Sequence, residues 1–260
     1  MEVLTLITIS ILPVFLLGNY IYNKDQNKEP TKLLIKLFLG GIASCVLTLI
    51  VTIPLYFILP ISMENPTDLN SIELFIYSFI GVALVEELCK WIFCYKFSYN
   101  HIEFDEIYDM IIYSSFVSLG FACFENLLYV IEGGAVTGIA RAITAVPAHA
   151  CFGVFMGYYL GLSKLSYLNN RTDLQKKHVI KSIIIPTIMH GIYDYCLFSQ
   201  NIILVLILIV LIIYTYINTV NKVKRISSIT NKLKYKDNYC PICGTLVKSN
   251  YCPKCGRKNE

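Results

Sequence analysis

Long apolar runs separated by short polar segments dominate the chain. A helix needs about 20 mostly apolar residues to cross the hydrocarbon core of a bilayer. Seven windows meet this requirement, and the boundary between the last two is the least distinct. The windows are 3–22, 33–59, 72–94, 107–131, 139–162, 180–198 and 201–220. The pattern therefore predicts an all-α polytopic membrane protein with about seven transmembrane helices.

The composition agrees with this prediction. Of the 260 residues, 55% are hydrophobic and 15% are charged, and the mean hydropathy is +0.58. Soluble domains contain roughly 45–50% apolar and about 25% charged residues, so a water-soluble globule and a disordered chain are both excluded. The first window lacks a basic segment before it and an A-x-A cleavage site after it, which favours a retained span over a signal peptide.

Lysine and arginine alternate between the predicted loops. The basic loops are 23–32, 95–106 and 163–179, and the tail after residue 220 is also basic. The intervening loops carry no basic side chain except Arg141, at the far edge of one of them. Since basic loops stay in the cytoplasm, we predict that the N-terminus lies outside and the C-terminus in the cytoplasm. We expect the membrane to be that of a prokaryotic cell.

The C-terminal tail has the spacing of a small zinc ribbon. Two C-x-x-C pairs offer four thiolates for tetrahedral zinc, and these are Cys240, Cys243, Cys252 and Cys255. Disulfides are disfavoured in the cytosol, and redox chemistry by one pair is a weaker alternative. We therefore divide the chain into a membrane domain (1–220, with its core at about 71–198), a basic linker (221–238) and a ribbon with structural zinc (239–260).

Ionisable and amide side chains inside the predicted spans are the most informative feature. They are Glu86, Glu87, Lys90, Glu125, Asn126, His149, His190 and Asp194. The five formally charged side chains among them, at roughly 2.5–3.5 kcal/mol each, would cost on the order of 12–18 kcal/mol in lipid. They must therefore face one another or a hydrated cavity.

Helical spacing relates these side chains further. Glu86 and Lys90 are four residues apart and can pair on one face, whereas Glu87 points about 100° away, towards the cavity. His190 and Asp194 also share a face, so that Asp194 is placed to hold one ring nitrogen of His190. A single ion pair or histidine would more often be structural, but four spans that contribute to one polar cluster favour a functional centre.

These residues resemble a known family. The motifs, in chain order, are Glu86-Glu87-x-x-Lys90, Phe121-x-x-x-Glu125-Asn126, His149 and His190-x-x-x-Asp194. In this order they resemble the PrsW family of intramembrane proteases, which is related to the CAAX-protease and bacteriocin-processing group. The resemblance covers roughly residues 71–198 and implies hydrolysis of a peptide bond in or beside the membrane. The zinc ribbon lies outside it.

The resemblance and the chemistry of buried carboxylates suggest a role for each glutamate of the first motif. A desolvated carboxylate can act as a general base. We assign Glu86 to Lys90 and Glu87 to the activation of water, although the two roles are exchangeable.

The remaining site residues surround that water in this interpretation. His149 and His190 orient the water or stabilise the oxyanion, and Asn126 is a further donor. Glu125 and Asp194 position the histidines. Two histidines with carboxylates are also a ligand set for a catalytic zinc ion, so the need for a catalytic metal stays open at this point.

Other functional classes remain as alternatives. The resemblance implies a membrane-anchored protein substrate, such as an anti-sigma-factor-like regulator. CAAX-type processing, a proton or ion transporter that uses the buried charges, and a scaffold whose ribbon recruits a cytosolic partner are the competing interpretations. The ribbon carries too few basic residues to predict nucleic-acid binding.

Overall fold

The structure is a computed structural model that describes residues 2–58 and 66–228. Its helices are α1 Glu2–Asn23, α2 Thr31–Ile58, α3 Ser71–Ile76, α4 Val85–Ser98, α5 Ile107–Ile143, α6 Ala145–Leu168, α7 Thr172–Phe198 and α8 Ile202–Ser227. A 3₁₀ turn, Pro66–Asp68, precedes α3. Within the described residues there is no β-strand, which confirms the predicted all-α class. The four ribbon cysteines and most of the basic linker lie outside the described residues.

A π-helical stretch, Tyr77–Leu84, joins α3 to α4 without interruption. Asn70 caps the start of α3, because its side chain accepts from the backbone of Glu73 while the Glu73 carboxylate accepts from the backbone of Asn70. The π-helical turns end at Leu84, two residues before Glu86. Local π-helix is often found at functional sites, and here it sets the direction in which the first acidic motif points.

The helix of the fourth predicted span breaks inside the loop that the sequence pattern placed between residues 131 and 139. Although α5 extends to Ile143 and α6 begins at Ala145, α5 consists of two helices joined by a kink. Gly134 interrupts α5 with a φ of +73°. The position of this break agrees with the gap between the two predicted apolar windows.

Several helices have the length and composition that a bilayer requires. Four described stretches are long and apolar enough to cross it: Leu4–Asn23, Thr31–Leu55, Ile107–Leu168 and Ile202–Ser227. Helix α8 exposes large apolar side chains such as Ile202 and Val210, the latter 66% exposed. An apolar surface of this kind is stable in lipid and not in water. The chain is therefore an integral membrane protein.

Helix α5 lies at the centre of the bundle, between α1, α2 and α6. Its buried face includes Met110, Ile111 and Ile112, none of which has measurable exposure. Gly120 of α5 and Gly41 of α2 allow their two backbones to approach closely. This central position carries Glu125 and Asn126 into the interior of the bundle.

A second acidic group is buried at the end of the bundle where the α1–α2 loop meets the start of α5. Glu29 is 6% exposed, and the Tyr113 hydroxyl donates to its carboxylate. Burial raises the pKa of Glu29 to about 7; the Tyr113 hydrogen bond opposes this shift, and Asp25 and Glu103 reinforce it. The folded protein therefore holds a proton on Glu29 at pH values where the unfolded chain has lost it.

This difference predicts a pH dependence of stability. Between Glu29's ordinary pKa of 4.5 and its folded value of about 7, the folded state binds more protons, so its stability decreases as the pH rises through this window. We expect the midpoint of thermal unfolding in detergent to fall over this range. Glu29→Gln should make this dependence shallower, whereas Glu132→Gln, at an exposed position of α5, should not. Equal slopes in the two variants would contradict the assignment to Glu29.

Candidate active site

Four helical elements bring the predicted site residues together. Helix α4 carries Glu86, Glu87 and Lys90 in its first two turns, α5 carries Glu125 and Asn126, α6 carries His149, and α7 carries His190 and Asp194. All of these side chains lie in the interior of the bundle, and Glu87, Lys90 and Asn126 have no measurable exposure. The predicted convergence of these four elements is present in the structure.

Lys90 is the central cation of this cluster. Its Nζ lies 2.8 Å from Glu87 Oε1 and 3.2 Å from Glu86 Oε2. The same ammonium is 3.1 Å from His149 Nδ1 and 3.9 Å from the centre of the Phe121 ring. The predicted Glu86–Lys90 pair is therefore present, but Glu87 does not lie apart from Lys90 as the helical angle suggested. Lys90 is ion-paired with both carboxylates, and its single positive charge offsets one of their two negative charges.

His190 lies between two carboxylates from different helices. Its Nδ1 is 3.0 Å from Glu87 Oε1, and its Nε2 is 3.3 Å from Asp194 Oδ2 and 3.9 Å from Glu86 Oε2. The predicted contact between His190 and Asp194 is thus present. The ring is also stacked on Phe152, with 5.0 Å between centroids. These contacts hold the imidazole in one orientation.

His149 is held by Glu125 in the predicted way, through a 3.0 Å contact between Nε2 and Oε2. Asn126 does not join these donors: its Nδ2 donates to the Ser10 backbone carbonyl of α1, and its Oδ1 accepts from Arg141 Nε at 3.1 Å. The amide therefore links α5 to its neighbours instead of facing the histidines.

Arg141 is the residue of this region that sequence reasoning did not place in the site. Its Nη2 lies 2.6 Å from Glu125 Oε2. The available signals were its position as the single basic side chain of an otherwise bare loop and its spacing from Pro147 and His149, which also resembles the family, but neither signal gave Arg141 a role in the site. Arg141 therefore adds a second cation to the cluster, beside Lys90.

The four side chains Glu86, Glu87, His149 and His190 form a compact donor set. Each offers one ligand atom, and these atoms all lie within 4.8 Å of one another. Carboxylate oxygens and imidazole nitrogens are the ligands of catalytic zinc. Glu87 Oε2 is buried and has no hydrogen-bond partner among the described residues. The set is therefore a possible buried metal site.

The charge of the cluster also leaves room for a divalent cation. Its four carboxylates, Glu86, Glu87, Glu125 and Asp194, face two basic side chains. With neutral histidines the formal charge is −2. In a low-dielectric interior, an uncompensated charge of this size is costly. A divalent ion or two protons would balance it, and both forms are compatible with hydrolysis.

The chain was compared with known proteins. It matches the family model described as "PrsW family intramembrane metalloprotease" over residues 29–218. It is 37% identical over 194 residues to "Protease PrsW" of Oceanobacillus iheyensis, covering 75% of this chain and 83% of that protein. The Bacillus subtilis "Protease PrsW" is 35% identical over 193 residues, which cover 74% of this chain and 82% of that protein.

No solved structure matches the chain significantly. The sequence matches nevertheless extend across most of the described helices and include all four elements of the buried cluster. They confirm the resemblance that the motifs indicated, and with it an intramembrane peptidase that acts on membrane proteins. The chain belongs to the PrsW family of intramembrane proteases.

Proposed function

We propose that this protease cleaves its substrate at the cluster of Glu86, Glu87, His149 and His190. The observation that carries the proposal is the convergence of four buried donor atoms, from three different helices, within 4.8 Å of one another. Such a group combines a base, a means of orienting water and donors for a developing oxyanion. A buried cluster with these three elements is what peptide hydrolysis within a membrane requires.

We assign the activation of water to Glu86, which exchanges the roles expected from the helical angle. Glu87 is fully enclosed, and its Oε1 is engaged by both Lys90 and His190. The Glu86 side chain keeps 8% exposure and a longer contact, 3.2 Å, with Lys90. A general base needs a lone pair that water can reach. Glu86 meets this condition better than Glu87.

The two histidines are the proposed orienting groups. The Nε2 atom of His149 contacts Glu125, so its Nδ1 atom faces Lys90 and the donor set. His190 lies between Glu87 and Asp194. Imidazoles fixed by carboxylates in this way are preorganised to orient water and to stabilise an oxyanion. Asn126 acts with Arg141 in positioning Glu125 instead of donating to the oxyanion.

The donor set also fits a catalytic divalent metal, as the description of the family model implies. His149, His190 and Glu87 are the residues that would hold it. When bound, such an ion supplies Lewis-acid polarisation of the scissile carbonyl. The Lys90 ammonium uses lone pairs of the same residues, and so competes with a metal for Glu87 and His149. Glu86 remains the base in either form.

Metal analysis distinguishes these two forms. The variant to use replaces Cys240, Cys243, Cys252 and Cys255 by serine, so that no zinc is counted from the predicted ribbon. For the metal form we expect about one divalent ion per chain, loss of cleavage after dialysis against a chelator, and recovery with Zn²⁺. Full cleavage by the metal-free variant would establish the form that uses glutamate alone.

We further propose that the chain crosses the bilayer seven times, with its N-terminus outside. The continuous helix 71–98 and α7 each exceed the length of about 20 residues that a span needs. The stretch Ile107–Leu168 supplies two spans, because Gly134 and Thr144 interrupt it. The charged site residues lower the hydropathy of the helix 71–98 and of α7. The basic tail then lies in the cytoplasm, where the predicted zinc ribbon would remain reduced.

Cleavage in proteoliposomes tests the proposed function. The substrate would be a single-span, anti-sigma-factor-like protein with a different epitope tag at each end, since the resemblance points to that class. We expect one discrete cut, retained by Glu132→Gln. Proton or ion flux without cleavage would support a transporter, and cleavage of only a prenylated C-terminal peptide would support CAAX-type processing. If neither cleavage nor ion flux is observed, the scaffold interpretation is supported.

A further inference from the structure

The C-terminal part of α5 folds back along the helix that precedes it. Gly134 has φ +73° and ψ −168°, a conformation that glycine adopts without strain. Along a straight helix, 16 residues span about 24 Å, yet Arg141 Nη2 lies 2.6 Å from Glu125 Oε2. A Cβ atom built on Gly138 would lie 2.9 Å from a Val130 methyl group. Residues 135–143, here called the return segment, therefore pack against the turns before Gly134.

Arg141 is the side chain that links the return segment to the part of α5 before Gly134. Its guanidinium donates through Nη2 to Glu125 Oε2 and through Nε to Asn126 Oδ1 at 3.1 Å, and it lies 3.9 Å above the Tyr129 ring. These three partners lie on one side of the helix, since Asn126 and Tyr129 follow Glu125 by one and four residues. The planar guanidinium satisfies them together in a way that an ammonium cannot.

The contact with Glu125 reaches the donor set through a single atom. Glu125 Oε2 lies 2.6 Å from Arg141 and 3.0 Å from His149 Nε2. While that oxygen is an acceptor, His149 carries its proton on Nε2 and presents the Nδ1 lone pair to Lys90 and the donor set. The orientation and tautomer of His149 thus depend on a carboxylate that Arg141 holds in place.

We propose that Arg141 is a positioning residue of the protease, acting through Glu125 on His149. The return segment carries this arginine, and the break at Gly134 reverses the chain so that Arg141 lies next to Glu125. The proposal rests on the proposed function of the cluster, because the group that Arg141 positions is one of its histidines. Arg141 itself contacts neither water nor substrate in this role.

Kinetics in the proteoliposome assay test this role. We expect Arg141→Gln to lower kcat by about 10–100-fold, the range found when a residue that orients a ligand or catalytic group is lost, with KM little changed. Arg141→Lys should recover only part of kcat, because lysine keeps the positive charge but lacks the planar guanidinium that donates to two partners at once. In a Glu125→Gln background, Arg141→Gln should have almost no further effect. Arg171→Gln, at an exposed position in the α6–α7 turn, is the matched control.

A spectroscopic measurement separates positioning from simple support of the fold. The chain has four histidines, so ring ¹⁵N NMR of labelled protein can resolve His149. We expect the Nε2-protonated tautomer in the native protein and in Arg171→Gln, and a mixture of tautomers in Arg141→Gln or, if that variant does not fold, in Arg141→Lys. An unchanged kcat or an unchanged tautomer would overturn the role of Arg141. Absence of cleavage by the native protein would instead overturn the proposed function.

Discussion

Replacement of Glu86 by glutamine is expected to remove peptide-bond cleavage while the protein remains folded. The amide keeps the size of the side chain but cannot accept a proton from water, and general-base catalysis contributes about 10²–10⁴-fold in rate. Lys90 keeps its shorter contact with Glu87, at 2.8 Å, so its charge stays compensated. We expect kcat to fall by about this factor and the unfolding temperature to change little.

Glu87→Gln provides the contrasting result. It removes the partner that both Lys90 and His190 contact in the fully enclosed part of the site. Removal of one member of a buried ion pair typically costs about 3–5 kcal/mol, so this variant should lose stability as well as cleavage. Cleavage and thermal unfolding would be measured on both variants, with Glu132→Gln as the exposed control. If Glu86→Gln keeps full activity, the base is not Glu86.

The second large effect concerns the crossing of α2 and α5. A Cβ atom on Gly120 would lie 2.0 Å from the Phe38 backbone carbonyl oxygen, and one on Gly41 would lie 2.0 Å from that of Val117. In both cases the atom that the methyl group would meet belongs to the backbone of the opposite helix, which cannot move aside as the end of a side chain can. Overpacking typically costs about 1–3 kcal/mol and occasionally more. We expect the loss of folding free energy caused by Gly120→Ala to lie at or above the upper end of this range, and the unfolding temperature to fall markedly.

Gly18 offers a matched control for this substitution. It is also a buried helical glycine that faces α5, but its Cβ would meet the end of the Leu119 side chain at an ordinary 3.6 Å. Alanine favours helix over glycine by about 1 kcal/mol, so Gly18→Ala should be neutral or stabilising. The comparison is made by thermal unfolding in the same detergent. Similar unfolding temperatures for the two variants would show that the α2–α5 crossing tolerates a methyl group.

Sequence reasoning was most successful where a physical requirement has few solutions. Apolar runs of about 20 residues in this chain have to be helices, because a bilayer leaves no other partner for the backbone. The buried charges had to converge, because isolated charges in lipid are too costly. These two requirements account for the all-α class and for the meeting of Glu86, Glu87, His149 and His190. The motifs supplied the family, which the comparisons confirmed.

The tertiary structure decided how the converging groups are paired. Helical periodicity gives the direction of a side chain from its own axis, but Lys90 can reach both the third and the fourth preceding residue, and His190 and Phe121 determine that it contacts both glutamates. The position of Asn126 against Ser10 depends on α1, which no local pattern relates to α5.

The role of Arg141 shows most clearly what the sequence by itself left open. The sequence determined a membrane-embedded helical protease with its reactive side chains on four helical elements, since burial and periodicity act along each helix. It placed Arg141 at the edge of an outer loop, with a spacing that resembles the family, and gave it no role in the site. The chain reverses at Gly134, within the predicted boundary, but only the structure shows that this brings the guanidinium to within 2.6 Å of Glu125. A contact of this kind depends on one backbone conformation and on the packing of two segments, and neither is encoded in hydrophobic spacing.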